Sequence, residues 1–119
     1  MTGNTLHDKS LLFAVRIVNF YKFLTEQKKE FVISKQILRS GTSIGANIHE
    51  SKNAESSSDY IHKLSIALKE ADETQYWLEV LFLSNLIEET EYTSMNNDAK
   101  ELIALLTTII SKIKNKQNV

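Results

Sequence analysis

The sequence has no proline among its 119 residues, and this absence restricts the possible folds more than any other feature. Proline breaks helix interiors and marks loops, so a chain without it suits long helices joined by short connections. Apolar residues recur every three or four positions in four segments, and no alternating strand pattern competes with them. We therefore predict an all-α protein, folded as an antiparallel up-down-up-down four-helix bundle.

The same periodicity places the helices along the chain. The predicted helices cover about residues 8–28, 34–53, 59–84 and 98–114. Their expected N-caps are Asp8, Ser34, and either Ser57 or Ser58. The acidic run at residues 88–91 is expected to form either a first turn or a small extra helix before helix four. We interpret residues 1–119 as one domain, with flexible ends at 1–7 and 115–119.

Helix one is apolar over more than half of its circumference. One predicted face contains Leu11, Ala14, Val15, Val18, Tyr21 and Leu24. A second apolar flank contains Phe13, Ile17 and Phe20. A helix with this pattern needs two packing partners rather than one.

Helix two contains the most unusual stretch, RSGTSIGANIHE at residues 39–50. Gly41 and Gly45 lie within it, and glycine in a helix interior costs roughly 1 kcal/mol relative to alanine. Spaced four residues apart, they share one face of the helix, where another backbone can approach closely. Close helix packing is therefore the favoured interpretation of this pair.

A polar stripe runs along the same helix. Arg39, Ser43 and Asn47 recur every four residues beside an apolar line, so they are expected to need hydrogen-bond partners. The acidic candidates are Glu50, Glu73 and Glu79. The alternative is that the stripe lines a binding surface for phosphate or for a partner chain.

The sequence offers little catalytic chemistry. His7, His49 and His62 lack ligand spacing, and neither a nucleophile elbow nor a phosphate-binding glycine loop is present. We expect no enzyme activity, no cofactor, no metal and no small-molecule substrate. The chain has no cysteine, no signal-peptide pattern and no apolar run of membrane-spanning length, so we expect a cytoplasmic protein with no membrane contact.

The formal net charge of -1 conceals an uneven distribution. Residues 1–69 carry ten basic and six acidic residues, whereas residues 70–111 carry one basic and nine acidic residues. A possible nucleic-acid-binding cluster surrounds the first turn and consists of Lys22, Lys28, Lys29 and Lys35. The competing interpretation is that these lysines are solvated and only promote solubility. A pI near 6.3 is below that of most nucleic-acid-binding proteins.

The order of residues in helices two and three resembles a known family. The matching positions are Gln36, Arg39, Ser40, Ser43, Ile44, Asn47, Ile48, Glu50, Ser58, Tyr60, Leu64, Ile66, Ala67, Glu70, Glu73 and Leu78. The chain resembles, from about Leu6 to Lys114, the four-helix-bundle proteins encoded in intervening sequences of bacterial 23S ribosomal RNA genes.

The resemblance implies an antiparallel bundle that assembles into a homopentameric ring. The wider group is similar to the accessory protein of diversity-generating retroelements, a strongly basic ring that binds nucleic acid and a reverse transcriptase. The present chain is not strongly basic. The resulting hypothesis is a non-enzymatic homo-oligomer that binds RNA or a ribonucleoprotein. The alternative is a scaffold or accessory subunit that binds another protein and makes no nucleic-acid contact.

Overall fold

The computed structural model describes residues 4–117, which form four α-helices and no β-strand. The helices are α1 (Thr5–Glu26), α2 (Ile33–Ser51), α3 (Ser57–Leu83) and α4 (Glu89–Gln117). The all-α prediction is confirmed. Of the ends expected to be flexible, residues 1–3 and 118–119 lie outside the described range, whereas residues 5–7 and 115–117 belong to helices.

The predicted N-caps are wrong by a few residues. Asn4, not Asp8, caps α1 by accepting a hydrogen bond from the His7 backbone N–H at 3.1 Å. Ser56, not Ser57 or Ser58, caps α3 and accepts from the Asp59 N–H at 3.0 Å. Asn4 lies one helical turn before Asp8, and Ser56 lies one residue before Ser57, so periodicity alone did not place either helix start.

Ser34 does not cap α2 either. It lies inside the helix, fully buried, with its hydroxyl donating to the Glu30 carbonyl at 2.8 Å. The carboxylate of Glu30 replaces a conventional cap by accepting from the backbone N–H groups of Val32, Ile33 and Ser34. A longer acidic side chain reaching forward from the connection thus satisfies the free donors of the first turn.

Helix α4 is longer than its clearest periodicity suggested. It begins at Glu89, so Glu89 and Glu91 of the acidic run lie in its first turn and the run forms no separate helix. Acidic side chains at this position complement the positive end of the helix dipole. Met95 and Ala99 are buried and carry the core pattern back toward this first turn.

The core uses the second apolar flank of α1 more than its predicted face. The buried residues of α1 are Leu6, Ser10, Phe13, Ile17, Phe20 and Leu24. Leu11, Val15 and Val18 are instead 48%, 52% and 38% exposed. Both flanks are apolar, so the sequence pattern could not indicate which one the other helices would cover.

Residues that come later in one helix contact residues that come earlier in the neighbouring helix. Ser10 lies against Gly45 and Ile17 against Gly41 where α1 meets α2. Between α1 and α4, Lys9 pairs with Glu101 and the later Arg16 pairs with the earlier Asp98. Between α2 and α3, Arg39 pairs with Glu70 and the later Glu50 pairs with the earlier Lys63. Between α3 and α4, Gln75 donates to Asn96, and the later Phe82 stacks on the earlier Tyr92.

Candidate functional site

The predicted lysine cluster, here called the basic turn, surrounds the connection between α1 and α2 and consists of Lys22 in α1, Lys28 and Lys29 in the connection, and Lys35 in α2. All four side chains are exposed, and the connection joins the end of one helix to the start of the next over residues 27–32. The ion pairs that lysines form in the described range are those of Lys9 and Lys63. Within residues 4–117 none of the four ammonium groups of the basic turn forms an ion pair, although that of Lys28 lies over the Phe23 ring, 5.8 Å from its centroid.

Two exposed apolar residues accompany the basic turn, and sequence reasoning missed them. Phe31 is 54% exposed and Val32 is 72% exposed, although both are bulky and apolar. Their position in the sequence could have indicated their exposure, because residues in a short connection between helices are seldom part of the core. An exposed aromatic ring beside lysines can stack on an unpaired base while the ammonium groups contact phosphates.

Glu30 fixes the shape of this connection. Its carboxylate accepts backbone hydrogen bonds from Val32, Ile33 and Ser34 at 2.9, 3.1 and 2.7 Å. Burial raises the pKa of this carboxyl, but the three backbone donors outweigh burial and leave the pKa below its ordinary value. Lys29 adopts a left-handed conformation with φ of 53°, and the Glu30 N–H returns to the Leu24 carbonyl. The basic turn is thus held by its own hydrogen bonds.

The polar stripe of α2 is engaged within the protein. Arg39 donates to the carboxylates of Glu70 and Glu73 on α3. Glu73 was an expected partner and Glu70 was not. The Glu73 carboxylate also accepts from Trp77 Nε1 at 3.0 Å. A guanidinium already facing two carboxylates is a poor phosphate site, because a phosphate would meet the acidic charge as well.

The remaining members of the stripe also have partners. The Ser43 hydroxyl donates to the Arg39 carbonyl at 2.6 Å, and the Asn47 amide donates to the Ser43 carbonyl at 2.9 Å. Glu50 pairs with Lys63 at 3.6 Å. The fully buried hydroxyls of Ser40 and Thr74 lie 2.9 Å apart and join α2 to α3.

The two glycines of α2 lie where α1 approaches. A Cβ atom at Gly41 would lie 2.7 to 2.9 Å from the Ile17 side chain, and one at Gly45 would lie 3.1 Å from the Ser10 carbonyl oxygen. The space that a side chain would need is therefore already occupied by α1.

A continuous apolar surface remains uncovered on α1, here called the outer strip and defined as Leu11, Val15 and Val18. The three residues are spaced four and three apart, so they share one face of the helix. Beside them a groove of about 370 Å³ separates α1 from α2, and its walls include Leu11, Ala14 and Ala46 as well as His7 and His49. Scattered exposed apolar residues are normal, but a strip at helical spacing beside a groove is typical of an interaction surface.

Two further classes of feature are absent between residues 4 and 117. No group of three or more His, Cys, Asp or Glu side chains there is arranged to hold a metal ion. No helix in that range is both long enough and apolar enough to cross a membrane.

Comparison with known proteins decides the family. The model for the 23S rRNA-intervening sequence protein matches residues 4–108. The chain belongs to this family. The resemblance inferred from helices two and three is confirmed, because the match extends over nearly the same span.

A solved structure supports the same membership. The chain is 60% identical to a protein with unknown function from the S23 ribosomal protein family of Bacteroides thetaiotaomicron VPI-5482. The two structures superimpose with a TM-score of 0.90, over 93% of this chain and 99% of the other. No curated protein matches the sequence.

Proposed function

We propose that the chain is a non-enzymatic, homo-oligomeric protein that binds RNA or a ribonucleoprotein in the bacterial cytoplasm. The observation that carries the proposal is the exposed Phe31 ring in the same short connection as the exposed Lys28 and Lys29. Proteins bind single-stranded nucleic acid by stacking bases on aromatic rings while basic side chains contact the phosphates. The family's name refers to 23S rRNA, which makes RNA the first nucleic acid to test.

Assembly is the second part of the proposal. The helices form an antiparallel up-down-up-down bundle, which the reversed order of contacts between neighbouring helices supports. The outer strip of α1 then covers its apolar surface against a second copy, and closure of this contact gives a pentameric ring. A ring would repeat the basic turn around one rim and raise the affinity of a long RNA through multivalency.

An alternative function is favoured by a different set of residues. Val32 and Leu83 are 72% and 69% exposed, and they lie in or beside the connections that precede α2 and α4. Exposed aliphatic side chains are more useful for docking a protein than for stacking on a base. In this alternative the protein is a scaffold or accessory subunit that makes no contact with nucleic acid.

The RNA proposal is tested by measuring affinity for a single-stranded RNA as a function of salt. Charge reversal at Lys28 and Lys29 is expected to weaken binding at every salt concentration. It should also reduce the salt slope by about one for each phosphate that the lysines no longer neutralise. Phe31→Ala is expected to weaken binding by about 1 to 3 kcal/mol with the salt slope unchanged, because it removes stacking alone.

The matched control reverses Lys112 and Lys114, which lie near the end of α4 and outside the basic turn. Equal affinity in all of these variants would contradict the proposal. Light scattering of the purified chain with and without RNA reports the assembly at the same time. If RNA leaves the mass unchanged, a stoichiometric protein complex that survives nuclease treatment would support the scaffold alternative.

A further inference from the structure

Two histidines that are distant in sequence meet at one edge of the α1–α2 interface. His7 lies in the first turn of α1 and His49 in the last turn of α2. Nε2 of His7 lies 3.4 Å from Nδ1 of His49, and the ring centroids are 5.6 Å apart. The close approach of the helices at Gly45, one turn before His49, brings the rings together.

The separation of the two nitrogens fits a metal chelate. Zinc binds histidine nitrogen at about 2.0 to 2.1 Å, and two such ligands at a tetrahedral angle have nitrogens about 3.3 to 3.4 Å apart. We propose that His7 and His49 form a two-histidine site for one divalent transition-metal ion, independent of the RNA surface. The ion would replace the hydrogen bond between the rings and join the start of α1 to the end of α2.

The neighbouring groups supply the orientation that such a site needs. Asp8 Oδ1 lies 3.4 Å from Nδ1 of His7, whereas the other ring nitrogen, Nε2, faces His49. A carboxylate in this position holds the ring proton on Nδ1 and leaves the Nε2 lone pair for a metal. His49 would bind the ion through Nδ1 and keep its ring proton on Nε2.

The ligand set also determines which ions would bind. Imidazole nitrogen favours copper, nickel and zinc over magnesium, and affinity for a given site is highest for copper. Only two protein ligands are present, so water completes the coordination and the site remains open, unlike a closed structural zinc site. In the single chain His49 is exposed and lies in the groove beside the outer strip, which gives the ion access from solvent.

The test is isothermal titration of the full chain, without an affinity tag, with Cu²⁺, Zn²⁺ and Mg²⁺ in separate experiments. One Cu²⁺ or Zn²⁺ per chain is expected, with no heat from Mg²⁺. His7→Ala and His49→Ala should each weaken Zn²⁺ binding about tenfold or more, since each leaves a single ligand. His62→Ala removes an exposed histidine from α3 and should leave the affinity unchanged.

Zinc titration followed by ¹⁵N NMR of the imidazole rings gives a readout that does not depend on a variant. The signals of His7 Nε2 and His49 Nδ1 should move together, and those of His62 should not. Absence of Zn²⁺ and Cu²⁺ binding to the wild-type chain would overturn the proposal. So would binding that is unchanged in both His7→Ala and His49→Ala.

Discussion

At Gly41 an added Cβ atom would lie 2.7, 2.8 and 2.9 Å from three carbon atoms of the Ile17 side chain. Ile17 is fully buried, so its side chain has little free space into which it can move. The contact at Gly45 is less severe, because a Cβ there would lie 3.1 Å from the Ser10 carbonyl oxygen. Close packing is thus tighter at one glycine than at the other, although the sequence presents them as equivalent.

We expect Gly41→Ala to lower the free energy of unfolding by about 1 to 3 kcal/mol, the usual cost of overpacking a core. Gly45→Ala is the matched control. It should change stability by less than about 1 kcal/mol, because the gain in helix propensity offsets the small shift that relieves its contact. Urea denaturation of both variants measures the difference.

A double-mutant cycle tests the cause of the Gly41 effect. Gly41→Ala should cost less in an Ile17→Ala background than in the wild-type chain, since the truncated side chain no longer meets the new methyl group. An equal cost in both backgrounds would show that Ile17 is not what the added methyl group contacts.

Among the helices, α2 depends on a side chain that lies outside it. Val32 at its N-cap makes no side-chain hydrogen bond, and Glu30 satisfies the first backbone donors in its place. The carboxylate has a pKa below its ordinary value near 4.5, because its three backbone hydrogen bonds outweigh burial. Its stabilisation is therefore present above the pKa of the unfolded chain and is lost as the pH falls through the lowered pKa of the folded state.

We expect Glu30→Gln to destabilise the protein by about 1 kcal/mol at neutral pH, as loss of a helix cap does. The difference between wild type and variant should shrink as the pH falls below 4.5, where protonated glutamate resembles glutamine. Thermal melts at several pH values measure this difference. Glu26→Gln, at the exposed end of α1, is the control, and a pH-independent difference for Glu30→Gln would contradict the expectation.

At the scale of the whole molecule, the outer strip of α1 is an apolar surface that the four helices do not cover. Leu11, Val15 and Val18 together expose a strip that the helices of the described chain leave uncovered. The protein has dimensions of 51 × 24 × 22 Å, so this strip lies along the side of an elongated body. A side surface of this kind suits lateral packing of copies around a common axis.

We expect Val15→Asp to weaken self-association by about 2 kcal/mol or more per interface, because it places a charge in the middle of the apolar contact. Thermal unfolding of the separated subunit should change little, since Val15 is 52% exposed. Sedimentation equilibrium measures the association. Leu83→Asp, at another exposed aliphatic residue, is the control, and an unchanged mass for Val15→Asp would exclude the outer strip from the assembly.

The sequence by itself determined the fold class and the family. Four periodic segments without proline indicated four helices, and the Gly41–Gly45 pair indicated a close contact with another helix. These inferences succeed because helix periodicity and glycine spacing are local properties of the chain. Local polar residues were less informative, since the caps are provided by Asn4, Ser56 and Glu30, which lie one to four residues before the expected ones.

Only the tertiary structure decided which residues are available for function. The packing of the helices decides which apolar flank of α1 is buried and that Phe31 is exposed. It also brings His7 against His49. The lysines of the basic turn were visible as charges, but whether acidic residues would pair with them was not. The physical reason is that the packing of whole helices sets which residues are buried and which distant residues pair. A local sequence pattern does not contain that information.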